Sequence, residues 1–312
     1  MGATKIEWAT DSWNPVRGCS KVSSGCKSCY AERMSARRLP GLMSPTTGEP
    51  FARPFGFPGS DYKKPRWTGN VELIEKALDI PLHWRKPRRI FVNSMSDTFH
   101  EALTPRDRLR IFQAAQAAPQ HRYLFLTKRP EIMRDFVLWW NGSGDHIVMP
   151  ANWWFGVSAE DQATADERIP LLLQTPAVVR FISAEPLLSA IDFSRYIGSI
   201  SLIIAGGESG PGARPMHPEW ARSVRDQCEA ARVPLFFKQQ GEWQFGSSLK
   251  ASRNRILLND GTLLKPDAED ATCEQRNNWR RYQPTMVARV GKRATGRLLD
   301  GVEHNGMPEA RG

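Results

Sequence analysis

Long apolar runs are missing from this chain. No stretch of its 312 residues approaches the roughly 20 apolar positions that a membrane-spanning helix requires. No apolar run follows the first residues either, so the expectation is no secretory leader, no membrane partner and a cytoplasmic location. Cysteine is scarce, at five residues, and cytoplasmic thiols stay reduced, so a disulfide-stapled scaffold is excluded. Internal repeats and low-complexity tracts are also lacking, which leaves no sign of a solenoid. Acidic residues are outnumbered: 33 Asp and Glu face 43 Lys and Arg, a net charge of +10. A basic surplus of this size suits a polyanionic partner such as nucleic acid. With 40% hydrophobic and 24% charged residues, the chain has the composition of a globular protein with a sizeable core.

The basic residues fall into three groups. Arg33, Arg37 and Arg38 form the first; Lys63, Lys64, Arg66, Arg85, Lys86, Arg88 and Arg89 form the second. The third runs from Arg276 to Arg297 and includes Arg280, Arg281, Arg289, Lys292 and Arg293. Trp67, Trp84, Trp279 and Tyr282 lie among them, and arginine with interleaved aromatics can contact phosphates and stack bases. Trp8, Trp13, Trp153 and Trp154 stand beside strand-like runs, and core packing is the expectation for them.

What is present is an alternation. Six short β-rich runs recur: RRIFVNSMSD, HRYLFLTKRP, NWWFGVSAED, VVRFISAEPLL, SLIIAGGESG and VPLFFKQQGEW. Several are near-continuous apolar stretches, as expected of strands buried on both faces of a parallel sheet. Helical patterns separate them at 104–118, 130–140, about 161–174 and about 218–232, the first with Thr104 as N-cap and Pro105 at the first helical position. Strand–helix alternation implies βα units with right-handed crossovers. The fold class is α/β: a partial or full (βα) TIM-like barrel, with a doubly wound open sheet as alternative. The barrel is expected over 1–240 with an irregular, Pro- and Gly-rich insertion at 39–70. Residues 241–312, without clear strand periodicity, read as a basic helical or irregular C-terminal extension packed on the barrel, with a frayed end.

Each run ends in polar residues. They are Asn93, Ser94, Ser96 and Asp97; Thr127, Lys128 and Arg129; Ser158 and Glu160; Ser183 and Glu185; Glu208 and Ser209; and Lys238, Gln239 and Gln240. The carboxyl ends of strands form the active face in barrels and open α/β sheets. Ser94, Ser96, Asp97, Lys128, Glu160, Glu185, Gly206, Gly207 and Glu208 are therefore candidate cofactor-binding residues, and Arg129, Lys238 and Gln239 candidate substrate contacts. Gly206 and Gly207 would let a ligand approach the backbone.

Three of the five cysteines sit in one glycine-bearing loop, WNPVRGCSKVSSGCKSCYAERMSARR, as Cys19, Cys26 and Cys29. A structural zinc site takes four N or S ligands. Here one C-x2-C pair stands alone, and the nearest histidine to Cys29 in the sequence is His83. Three thiolates also hold three irons of a [4Fe–4S] cluster, leaving one iron open. Cys228 reads as a small core residue and Cys273 as incidental.

These residues carry a resemblance. Three cysteines in one loop, followed by Tyr30 and a helix in an α/β chain, resemble the radical S-adenosylmethionine superfamily. The segments KIEWATDSWNPVRGC, GCKSCYAERM, TKRP, SAEPLL, GGESGPGARP, FFKQ and GKRATGRLLDG are similar to a phage-associated three-cysteine-motif family. Several of its members resemble enzymes of the spore photoproduct lyase type, which repair DNA. The resemblance implies a partial barrel, one iron on each of Cys19, Cys26 and Cys29, and S-adenosylmethionine chelated by the open iron. It also implies a 5′-deoxyadenosyl radical acting on a nucleic acid. The first spacing, C-x6-C, departs from the superfamily's commonest C-x3-C, and Ser28 stands where an aromatic is usual.

The expectation is an iron–sulfur enzyme repairing or modifying nucleic acid, DNA ahead of RNA, with a protein partner also open. Two alternatives stand beside it. One is a zinc- or cluster-stabilised nucleic-acid or partner-binding protein. The other is a divalent-metal barrel nuclease using Asp97, Glu160, Glu185 and Glu208.

Overall fold

The computed structural model describes residues 4, 6–37, 43–53, 66–142, 149–246 and 254–309. Arg38, Lys63 and Lys64 of the basic groups lie outside the described residues, as do 39–42 and 54–65 of the expected insertion.

Seven strands make a parallel sheet: β1 (Asp11–Trp13), β2 (Arg89–Val92), β3 (Arg122–Thr127), β4 (Trp153–Ser158), β5 (Val179–Ala184), β6 (Leu202–Gly206) and β7 (Leu235–Gln239). They follow one another in chain order, each the neighbour of the next. All six expected strands are present, and the ill-defined element before the cysteines is β1. The α/β class with parallel strands and flanking helices is thus established. Among the described residues the pairing order runs from β1 at one edge to β7 at the other.

Five helices accompany the sheet: α1 (Tyr30–Arg37), α2 (Pro105–Gln116), α3 (Pro130–Gly142), α4 (Gln162–Gln174) and α5 (Pro218–Ala231). Local chemistry sets their ends. Thr104 Oγ1 accepts from the Asp107 amide and Asp107 returns the bond to the Thr104 amide, a capping box with Pro105 behind it. His217 Nδ1 accepts from the Glu219 amide at the start of α5, and Arg232 closes that helix at φ 55°.

The chain forms two compact units. The first comprises 1–157 and 170–180, the second 158–169 and 181–312. In the first, Phe112 of α2 lies against Phe125, Phe136, Trp140, Trp153 and Phe155, an aromatic core with ring centroids 4.8–6.1 Å away. Trp8, Trp13, Trp153 and Trp154 are all buried, in keeping with the core packing expected of them. In the second unit, α5 buries Trp220, Ala221, Val224 and Cys228, so Cys228 is the core residue it was expected to be.

The described part of 39–70 is not wholly irregular. Ala52–Arg53 pairs with Arg66–Trp67, and just past it Glu72–Leu73 pairs with Val16–Arg17. The C-terminal region also departs from expectation. It forms an antiparallel sheet of β8 (Trp243–Phe245), β9 (Asn254–Leu257), β10 (Leu263–Leu264) and β11 (Thr285–Arg289), in the order β8-β11-β9-β10. These strands are too short for their alternation to register in a sequence. Its end is not frayed as far as it is described: the Phe237 amide donates to His304 and the Gly306 amide to Leu235. The tail thereby covers the outer edge of β7.

Candidate functional site

The cysteine loop leaves the carboxyl end of β1 and enters α1. Two features fix its course. Gly18, at φ 84°, is backed by the Asn70 carbonyl, which a Cβ would meet at 1.8 Å, so only glycine fits before Cys19. Glu32 of α1 accepts from the Trp67 amide at 2.9 Å and pairs with Lys21 at 2.7 Å. The described remainder of the 39–70 excursion therefore braces the loop from behind.

From the front, the loop is tied to the ends of β2 and β3. Asn14 Oδ1 accepts from Ser94 Oγ at 3.1 Å and from the Met95 amide at 2.9 Å. Ser96 Oγ donates to the Val16 carbonyl at 2.8 Å. The Tyr30 hydroxyl, at the first position of α1, donates to the Ser94 carbonyl. Ser20, next to Cys19, takes a hydrogen bond from Arg129 at 2.7 Å, and its hydroxyl lies 2.9 Å from His100 Nε2.

Arg129 is the hub. Its guanidinium is buried and reaches Ser20, Asp97 at 3.1 Å and Glu101. Asp97 is saturated: Thr127 Oγ1 donates to both its oxygens, at 2.8 and 2.9 Å, and the Phe99 and Lys128 amides donate to one each. Burial works against an ionised Glu101, but the Arg129 hydrogen bond, a backbone hydrogen bond and the Arg129 charge together outweigh it and hold that carboxyl down at about 2. Sequence reading placed Arg129 against substrate and Asp97 against cofactor. The structure joins them to each other and to the cysteine loop, with no ligand needed to explain either.

The three thiols are half-buried and near enough for their charges to interact, Cys19 with both others and Cys29 with Cys26. Burial pushes the Cys19 thiol up to about 12, with Asp97 adding to the rise and Arg129 opposing it. Burial raises Cys29 as well, against backbone N–H groups of Glu32 and Ala31 that point at its sulfur from the start of α1. Such a pocket disfavours bare thiolates. Among the described residues no three His, Cys, Asp or Glu side chains converge tightly enough for a single metal ion. His100, the histidine tied to this loop, has Nε2 beside Ser20 and Nδ1 accepting from the Ala102 amide. A tetrahedral zinc, with its ligands within about 2.3 Å of one centre, likewise has no such set among the described residues. The loop itself offers three thiols as donors.

In the second unit the predicted residues are also engaged by the chain. Glu160 is 0% and Arg168 2% exposed on the side chain, and they pair at 3.1 Å. Glu185 pairs with Lys238 at 2.7 Å. Glu208 is gripped by Arg214 through two nitrogens, at 2.9 and 2.7 Å. Gly206 and Gly207 admit backbone, not ligand: a Cβ on Gly207 would meet the Gln240 carbonyl at 2.1 Å. Gln239 is buried and donates to Gly207 at 3.3 Å, and its Oε1 has no partner among the described residues. The four carboxylates expected of a nuclease are each closed by a cation and form no cluster among the described residues.

Of the aromatics expected among basic residues, Trp279 and Tyr282 pack against Ile256, Leu258, Leu264 and Ala271 and support the antiparallel sheet instead of facing bases. Arg276, Arg280, Arg281, Arg289 and Arg293 around them are exposed. Sequence reasoning missed Asn14, Ser20, His100 and Glu101. Asn14, set between Trp13 and Pro15 at the end of β1, was the one with a usable signal.

No curated protein and no solved structure matches the chain. Residues 3–308, nearly its whole length, match the family described as "Protein of unknown function (DUF5131)", and the chain belongs to that family.

Proposed function

We propose that the protein is a radical S-adenosylmethionine-type enzyme built on a partial (βα) barrel, acting on nucleic acid, with DNA ahead of RNA. One observation carries this reading: three thiols, and no other ligand type, are held in one loop that is fastened to the carboxyl ends of neighbouring parallel strands. Cys19, Cys26 and Cys29 would hold a [4Fe–4S] cluster. When bound, that cluster and S-adenosylmethionine supply reductive sulfonium cleavage and hydrogen abstraction, chemistry that belongs to the cofactors.

The chain's own residues bind and position. Arg129, fixed by Asp97 and Glu101, holds Ser20 and so the placement of Cys19. Its charge opposes the effect of burial at Cys19, as the N–H groups of α1 do at Cys29, and ligation needs the thiolate forms. Tyr30 clamps the start of α1 onto Ser94. Lys128, half-exposed at the end of β3, is a cation suited to a carboxylate or phosphate. The exposed arginines of the C-terminal sheet suit a nucleic-acid backbone, and a base inside a duplex would have to be extruded to be reached.

A second reading, a cluster-stabilised nucleic-acid-binding protein without catalysis, is favoured by the strand-end carboxylates, which already have internal partners. The two separate in one assay. Anaerobically reduced, cluster-loaded protein is incubated with S-adenosylmethionine and either single-stranded or duplex DNA, and 5′-deoxyadenosine is measured by mass spectrometry. The enzymatic reading expects its release, abolished in Cys26→Ala. DNA binding with no release from the loaded protein would leave the second reading standing and the first refuted.

A further inference from the structure

The amino ends of β2 and β3 carry a feature the cysteine chemistry does not use. Arg89 and Arg122 are register partners on these parallel strands, so their side chains leave the same face of the sheet side by side. Both are half-buried. The Arg122 guanidinium is held 4.7 Å over the Trp154 ring, while the Arg89 backbone is fixed by Thr10, whose hydroxyl accepts from its amide at 2.9 Å and donates to its carbonyl at 3.0 Å. Among the described residues no carboxylate pairs with either guanidinium. Burial and the neighbouring Arg122 charge both act against the charged form of Arg89.

A cleft of about 300 Å³ opens at this spot, lined by Arg88, Arg89, His121, Arg122 and Asn152 with flanking prolines. Its donors are unevenly used. Asn152 Nδ2 already donates to Pro119 and His121 carbonyls, at 3.1 and 2.6 Å. His121 Nε2 lies 3.0 Å from the Pro81 carbonyl, which assigns the proton there and leaves Nδ1 an acceptor. The Nε atoms of Arg88 and Arg89, by contrast, are buried without an acceptor. Arg88 is steadied by Asp11 and by the Trp84 ring, 4.6 Å away. Arg89 and Arg122 have no such counter-charge.

Two adjacent guanidiniums at a cleft, the Arg89 one with a buried Nε that has no acceptor among the described residues, are costly as they stand. A group with several acceptor oxygens and more than one negative charge removes both costs. Planar guanidiniums match tetrahedral oxyanions in two-point fashion. We infer that the cleft between Arg89 and Arg122 is a binding site for a phosphate group, free or carried on a small ester, separate from the cysteine loop at the opposite strand ends.

The test is calorimetric titration of the protein in chloride buffer with inorganic phosphate and, separately, with adenosine 5′-monophosphate. The expected result is saturable one-to-one binding of one or both, and which of them binds more tightly identifies the source of the group. The double variant Arg89→Gln/Arg122→Gln weakens binding by roughly tenfold or more, the effect of losing charge-assisted bonds, and Arg106→Gln, at an exposed position of α2, leaves it unchanged. The double variant also melts no lower than wild type in phosphate-free buffer, because a like-charge pair has been relieved. Absence of saturable binding by both probes would overturn the inference, as would equal affinity in wild type and the folded double variant.

Discussion

Arg129 carries more of the candidate site than any other single residue outside the cysteines. Removing it leaves the Asp97 carboxylate buried beside Thr127 without the one ion pair it makes among the described residues. An uncompensated buried charge is expensive, so Arg129→Ala is expected to lower stability by about 3–5 kcal/mol in urea unfolding. Glu101, more exposed on the same guanidinium, should matter far less, with Glu101→Gln costing under about 1 kcal/mol. Equal effects of the two would contradict the assignment of Asp97 as the buried partner. Gly207 makes a second residue-scale case. Its missing side chain makes room for the Gln240 carbonyl, so Gly207→Ala is expected to destabilise by about 1–3 kcal/mol through forced backbone movement. Here sequence reading picked out the residue, and the structure shows a backbone carbonyl where its side chain would be. A glycine announces close approach, but what approaches is not written beside it.

At the scale of elements, the cysteine loop depends on strand ends that are remote from it in sequence. Ser20 meets Arg129, and Asn14 meets Ser94 and Met95. Asn14→Ala removes one acceptor from two donors and is expected to cost about 1–3 kcal/mol, the penalty of half-buried groups left unpaired. It should also lower iron retained after anaerobic desalting of reconstituted protein, whereas a substitution at exposed Arg276 should leave iron unchanged. The parallel strands and the four later helices were legible because their signals are local: apolar runs, Pro105 after Thr104, Pro218 after His217. The antiparallel sheet was not. Its strands span two to five residues, and cross-strand pairing, not periodicity, decides them. The pairing of strand-end carboxylates with Arg168, Lys238 and Arg214 was equally hidden, since sequence shows which ends are charged and not which charges meet.

For the whole molecule, acidity offers a check on the ion pairs. Asp300 is held down at about 2 by hydrogen bonds from Arg222 and Arg225 of α5, against the opposing effect of burial. A depressed carboxyl contributes stability that is full above its ordinary value of about 3.9 and is lost as pH falls through about 2. Asp300 sits at φ 52°, a conformation Asn also accepts, which makes Asp300→Asn a clean replacement. Wild type should melt higher than this variant at pH 6, and the gap should close towards pH 2. A gap independent of pH would mean the pair with α5 is not formed. The surplus of 43 basic over 33 acidic residues and the exposed arginines of the C-terminal region belong to this scale too, as the basis for proposing a nucleic-acid partner. The central claim rests on the cysteine loop and is tested most directly by iron, sulfide and zinc content of anaerobically purified protein. Electron paramagnetic resonance of the reduced sample, with and without S-adenosylmethionine, completes the measurement. The account predicts about four irons and four sulfides per chain and a signal that changes when S-adenosylmethionine is added; zinc alone, or a cluster signal indifferent to that addition, would contradict it.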